Sequence, residues 1–157
     1  MERLDIIEAL KQLPNAVEAE VAGVAESVLR YRPAEGEWSI REVVGHLRDA
    51  AQVWYKRLYA TWTLTDPKFP TWDAVIGNRE TNYMDADLPK TIAEMREWRL
   101  KTVDLLAHAV DWTRLGQHPD LGRRSLKQWA EYLLAHDNEH LATIRSLKTA
   151  QESRQPA

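Results

Sequence analysis

The chain contains no cysteine in its 157 residues. That excludes a disulfide framework, a thiolate metal site and a cysteine nucleophile, so any thiol chemistry must bring its sulfur from outside. Long apolar runs are also missing. The start, MERLDIIEAL, is charged and amphipathic rather than a signal peptide, and nothing approaches the roughly 20 apolar residues of a membrane span. Neither sign of charge dominates: 21 basic and 24 acidic side chains leave −3, with no bulk pull toward nucleic acid or an anionic membrane. A soluble, cytoplasmic protein with neither kind of partner is the expectation. Arg123, Arg124 and Lys127 read as a solvated helix start. Phenylalanine is nearly absent, one copy against seven tryptophans. Trp54, Trp98 and Trp129 fall on or beside apolar stripes and are assigned to the core. Trp62 and Trp72 sit in a non-periodic stretch, where an indole either covers the end of a core or lines a pocket.

Four helical segments can be read. The first begins near Asp5, with apolar positions at Ile6, Leu10, Leu13, Val17, Val21 and Val24, and Pro14 should kink or divide it. The second opens at EWSIREVVGHLRDA, residues 37–50. There Ser39 and Glu42 form a capping box and Trp38 with Val43 a hydrophobic staple. Its stripe is Ile40, Val43, Val44, Leu47, Ala51 and Trp54, ending near Tyr59. A long turn-rich connection follows, with a short helix around residues 71–76. So long a loop within a compact domain is usually functional. The third helix has Pro89 in its first turn, where the missing N–H is harmless, and carries Ile92, Met95, Arg99, Val103, Leu106 and Val110 along one side. The fourth starts from a second capping box, Ser125 with Gln128. No alternating strand pattern and no internal repeat is evident. The expected fold is all-α, a four-helix bundle with a long connection between helices two and three. It forms one domain over residues 1–150, with 151–157 a frayed tail.

The histidines separate by position. His108 lies about 140° from the centre of its stripe, one turn after Asp104, and reads as an exposed residue with a helical charge partner. His118 precedes a proline and reads as extended loop, within reach of a site only at the bundle mouth. His136 and His140, four apart, project from one face of the last helix, on the core line through Trp129, Leu133 and Leu147. Two imidazoles turned inward are costly unless something binds them, and an i, i+4 pair is a common metal clamp. His46, inward on another helix, is the natural third ligand. Gly45 beside it would let a neighbouring helix approach closely. Three histidines without a further protein ligand leave an open coordination position. HDNEH also fits the H-x-x-E-H peptidase pattern with Glu139 as base, but the acidic ligand such enzymes take well downstream is missing. Glu139 therefore reads as a helix-surface or outer carboxylate. Asp49 and Tyr83 are the candidate acid or base near the metal, each more simply structural, and Asp49 is also placed to orient His46. No catalytic residue is assigned.

These stretches resemble the DinB-like superfamily. The pattern W-S-x-x-E-x-x-x-H-L is met from Trp38 to Leu47 and H-x-x-x-H at His136 and His140, and AEMREWRLKTVDLL and HPDLGRRSL share the family's look. The resemblance implies a four-helix bundle, a homodimer, and a divalent metal on His46, His136 and His140. Zinc, nickel, iron and manganese are not distinguished by such ligands. Characterised members of the family include S-transferases and isomerases that use bacillithiol, mycothiol or glutathione. The reading is thus a metal-dependent enzyme joining a low-molecular-weight thiol to a small electrophile. The alternatives are a metal-dependent hydrolase of a small substrate and a non-catalytic metal- or ligand-binding stress protein.

Overall fold

Leucine and valine spacing along the first segment does produce one helix, and the proline does not divide it. In the computed structural model, which describes residues 1–154, α1 runs unbroken from Arg3 to Val21 with Pro14 inside it. The short α2 (Glu26–Leu29) follows, then α3 (Ile40–Thr63), α4 (Ala74–Thr81), a 3₁₀ turn at Tyr83–Asp85, α5 (Leu88–His108), strands β1 (Leu115–His118) and β2 (Gly122–Ser125), and α6 (Leu126–Arg154). The expected tail lies in part within α6, and residues 155–157 are outside the described residues. No helix among the described residues is long and apolar enough to cross a membrane.

Four long helices, α1, α3, α5 and α6, form the bundle. Helices α1 and α3 each pack on both α5 and α6. Helices α1 and α3 therefore face each other across one diagonal and α5 and α6 across the other, while α3 and α5 are direct neighbours. One apolar cluster joins Leu13, Val17, Val43, Met95 and Ile144; a second joins Leu10, Trp54, Leu106, Trp112 and Trp129. Trp54 and Trp129 are core residues as read from the sequence, while Trp98 is half-buried against the first cluster.

Both capping boxes form. Ser39 Oγ accepts from the Glu42 amide and the Glu42 carboxylate accepts from the Ser39 amide; Ser125 and Gln128 do the same for α6. The crossover is better ordered than its composition indicates. Its helix starts three residues after the expected one, at the Asp73 cap, whose side chain accepts from Val75 and Ile76. Segment 67–69 then runs beside β1, with the Phe69 amide donating to Gln117 and the Gln117 amide to Pro67. The β1–β2 hairpin is an addition to the all-α reading. Four-residue strands LGQH and GRRS carry no alternation of apolar and polar residues that could betray them. Arg123 and Arg124 consequently lie in a strand rather than at a helix start. Arg123 pairs with Asp66, and Arg124 lies over the Trp129 and Tyr132 rings.

Candidate metal centre

The capping box fixes where α3 begins, and seven residues later His46 points inward, only 5% exposed. Helix α6 brings His136 and His140 to the same place. His46 Nε2 lies 3.1 Å from His136 Nε2, and the His140 ring centroid is 4.5 Å from each of the other two. One nitrogen from each ring falls within 4.8 Å of the others. Nitrogens bound tetrahedrally at 2.0–2.1 Å from an ion stand roughly 3.3 Å apart, so the spacing suits a metal. Charge state suits it too. Burial, reinforced by His140 and His136, pushes the His46 pKa down to about 3, and burial with His136 pushes that of His140 down. Both rings stay neutral, as ligands must.

Behind His136 stands a polar chain that the sequence reading missed. His136 Nδ1 donates to Asp137 Oδ1 at 2.9 Å, which fixes the tautomer and leaves Nε2 free toward the other two rings. Asp137 is 1% exposed, and its other oxygen is paired with Arg99, also 1% exposed. Burial alone would raise the Asp137 pKa, but Arg99 and His136 outweigh it and hold the carboxyl below its ordinary value. Arg99 in turn donates to the Leu10 carbonyl at 3.0 Å. That carbonyl is the one Pro14, with no N–H, cannot use four residues later in α1. The proline leaves an acceptor open inside the bundle, and Arg99 fills it.

His46 is held differently. Trp72 stacks on it, with centroids 5.3 Å apart and planes 4° from parallel, and Trp38 lies 5.2 Å away on another side. Its buried Nδ1 has no hydrogen-bond partner. Asp49 does not orient it, contrary to expectation. That carboxylate accepts from the Tyr83 hydroxyl and pairs with Arg48, so Asp49 and Tyr83 satisfy one another and neither is left as an open acid or base. Gly45 also has another purpose than helix approach. A Cβ there would lie 2.4 Å from Cγ of Tyr83 and 2.7 Å from its Cβ, so the glycine makes room for the crossover's tyrosine. Asn78 of α4 donates to Glu42, a second tie between crossover and α3.

Of the remaining candidates, His108 is exposed and bonded to Asp104, as expected. Glu139 is exposed on α6. Trp62 packs near Arg114, and only Trp72 of the pair reaches the histidines. His118 does approach the site: it shares a cavity wall with His136. Two cavities flank the cluster. A groove of about 670 Å³ runs beside His140, with Trp38, Val43 and Leu147 on its walls. A smaller space of about 140 Å³ lies beside His136, between Trp54, Trp72 and Tyr132.

Known proteins share this architecture. The solved structure of YfiT from Bacillus subtilis, described as "a probable metal-dependent hydrolase with an unusual four-helix bundle topology", superposes with a TM-score of 0.90 at 23% identity, over 96% of this chain and 88% of that one. At that identity the likeness concerns the fold. Two sequence relatives carry the name "Putative metal-dependent hydrolase". One, from Oceanobacillus iheyensis, is 28% identical over 90% of this chain and 84% of its own length. The other, from Geobacillus thermodenitrificans, is 37% identical over 62 residues, 40% of this chain and 34% of that protein. The uncharacterized protein YuaE of Bacillus subtilis is 23% identical over 82% of this chain. The profile of the DinB superfamily matches residues 9–144, most of the chain including all three inward histidines, and the chain belongs to that superfamily.

Proposed function

We propose that His46, His136 and His140 hold a divalent metal ion, and that the chain is an enzyme that hydrolyses a small molecule with its help. The observation that carries this is the convergence of three inward imidazole nitrogens within 4.8 Å of one another, with the His46 ring buried and the His136 ring oriented by a buried carboxylate. Relatives named as metal-dependent hydrolases add weight. Such an ion, when bound, polarises a substrate carbonyl and makes water nucleophilic near neutral pH. The chain's own residues supply the rest. Asp137 keeps the proton of His136 on Nδ1, burial keeps His46 unprotonated, and Trp72 and Trp38 exclude bulk water from two sides of the ring.

A second reading, thiol transfer, is favoured by a different observation. Two separate cavities meet the cluster, one at His140 and one at His136, as a reaction between two organic molecules requires. With no cysteine in the chain, the thiol would arrive as a cosubstrate. The homodimer belongs to the same proposal and is checked by light scattering.

The test is metal analysis followed by activity. The purified chain should carry about one ion. His46→Ala, His136→Ala and His140→Ala should each lose it, and His108→Ala should not. Metal-reloaded protein should then cleave an ester or amide from a small-molecule panel faster than the metal-free form. Full occupancy in His46→Ala would overturn the site. Metal-dependent conjugation of bacillithiol, mycothiol or glutathione, without hydrolysis, would select the thiol reading. Neither activity would leave a binding protein.

A further inference from the structure

Arg57 is the unusual cation of this molecule. It lies eleven residues after His46, about three turns along the same face of α3, and is only 6% exposed. Buried charges are normally paired, because burying one alone is expensive. Among the described residues no carboxylate pairs with Arg57. Its contacts are one hydrogen bond to the Pro70 carbonyl at 3.0 Å and the faces of Trp54 and Phe69, 4.8 and 5.5 Å from its guanidinium carbon. Ring faces offset part of the lost hydration. They leave most of the guanidinium's five N–H groups without an acceptor.

This guanidinium lines the cavity of about 140 Å³ that His136 bounds on another side. His118 stands on the same wall. Its Nδ1 accepts from the amides of Asp120 and Leu121 at 3.0 and 3.2 Å, so the ring proton belongs on Nε2 and His118 is a donor there. Asp120, on the cavity's wall too, is exposed and bonded to neither guanidinium nor indole. The cavity thus offers cationic and neutral donors, with the indoles of Trp54 and Trp72 on its walls, beside the histidine cluster.

We propose that this cavity takes a carboxylate group of the small-molecule substrate, with Arg57 as its charge partner and His118 as a second donor. A guanidinium edge matches a planar carboxylate in shape and charge. A space this small holds the carboxylate and a few carbons, and Asp120 at its wall disfavours a dianion such as phosphate. The word substrate rests on the metal-enzyme reading above; the carboxylate site does not. Bound in this way, the bonds next to the carboxylate lie toward His136, so the substrate class would be small carboxylic acids that bear the scissile group close to the acid.

Trp54 and Trp72 form two walls, so tryptophan fluorescence can read the cavity directly. The full-length protein is titrated with propionate, propionamide and inorganic phosphate at constant ionic strength, metal-free and again zinc-loaded. Propionate should bind saturably, with a dissociation constant in the millimolar range, in the metal-free protein. Propionamide should bind at least tenfold more weakly. Arg57→Met should weaken propionate at least tenfold and His118→Phe several-fold. If Arg57→Met does not fold, the propionate–propionamide comparison and His118→Phe still decide the matter. Equal binding of propionamide, tighter binding of phosphate, or unchanged propionate binding in Arg57→Met or His118→Phe overturns the proposal. Failure of zinc uptake would sink the metal reading alone, because propionate is measured without metal.

Discussion

His46 and His136 sit 3.1 Å apart, yet the two sides of the site are built from different forces. On the α6 side a ring is fixed by charge: His136 bonds to Asp137, Asp137 to Arg99, Arg99 to the carbonyl that Pro14 leaves open. On the α3 side a ring is fixed by packing: Trp72 stacks on His46, and Tyr83 fills the space a side chain at position 45 would need. The charged side is directional and brittle, since removing one member strands another in a dry interior. The packed side tolerates small shifts but no added volume. Each half can be broken by a change that leaves the other intact.

The largest effect is expected on the charged side. Asp137→Ala strands Arg99 and should cost about 3–5 kcal/mol in denaturant melts. In protein that still folds it should weaken metal binding about 10–100-fold. Melts that overlay the parent would mean the chain from α1 to His136 does not hold the ring.

Acid should come next. In the metal-free protein the folded state keeps His46 neutral down to about pH 3, whereas an unfolded histidine takes a proton near 6.5. Between those values the unfolded chain binds more protons, so stability falls as the pH drops, by up to about 1.4 kcal/mol per unit. His140 acts in the same sense. Glu42 adds a lower window. Burial would raise its pKa, but Arg32, Asn78 and the Ser39 amide bring it to about 2, so its contribution is present above about 4.5 and is lost as the pH falls toward 2. Thermal melts from pH 7 to 4 should show the first loss, and His46→Leu should flatten it.

On the packed side, Gly45→Ala sets two effects against each other. Alanine favours the helix by about 1 kcal/mol. The added carbon meets the root of the Tyr83 ring, which cannot swing aside as a flexible tip could, and overpacking of this kind costs about 1–3 kcal/mol. Net destabilisation is expected in denaturant melts. Tyr83→Ala in the same chain should remove most of the Gly45→Ala penalty, a non-additivity that isolates the contact.

The two capping boxes give the smallest and finest comparison. Ser39 is fully buried and its partner Glu42 also holds Arg32 and Asn78, while the Ser125 box is exposed. Ser39→Ala should cost about 1–2 kcal/mol and Ser125→Ala about 0.5–1. Equal losses would mean burial adds nothing to the cap.

The same contrast explains what could be read from the sequence. Helix starts, apolar stripes and the inward histidines depend on spacings of three and four residues, which a sequence displays directly. Asp137 was overlooked because it adjoins His136, and neighbours on a helix do not ordinarily share a face. Arg99 stood in an apolar stripe, but its partners come from α6 and α1, and no local spacing announces a contact across three helices. Pro14 read as a break because the arginine that uses the freed carbonyl is 89 residues away along the chain. Arg57 does carry a local signal, the face of α3 it shares with His46.

The separation of His46 and His136 along the chain, 90 residues, has a consequence for how the chain comes together. A metal bridging them would act as a removable cross-link closing a loop of more than half the protein, in a chain that has no disulfide to do so. By the chain-entropy argument, tying off a loop of that size removes roughly 4–5 kcal/mol of freedom from the unfolded ensemble. Because the third ligand, His46, comes from α3 while His136 and His140 come from α6, the cross-link closes only after α6 has docked beside α3. Uptake of the ion would then mark the end of folding rather than its start.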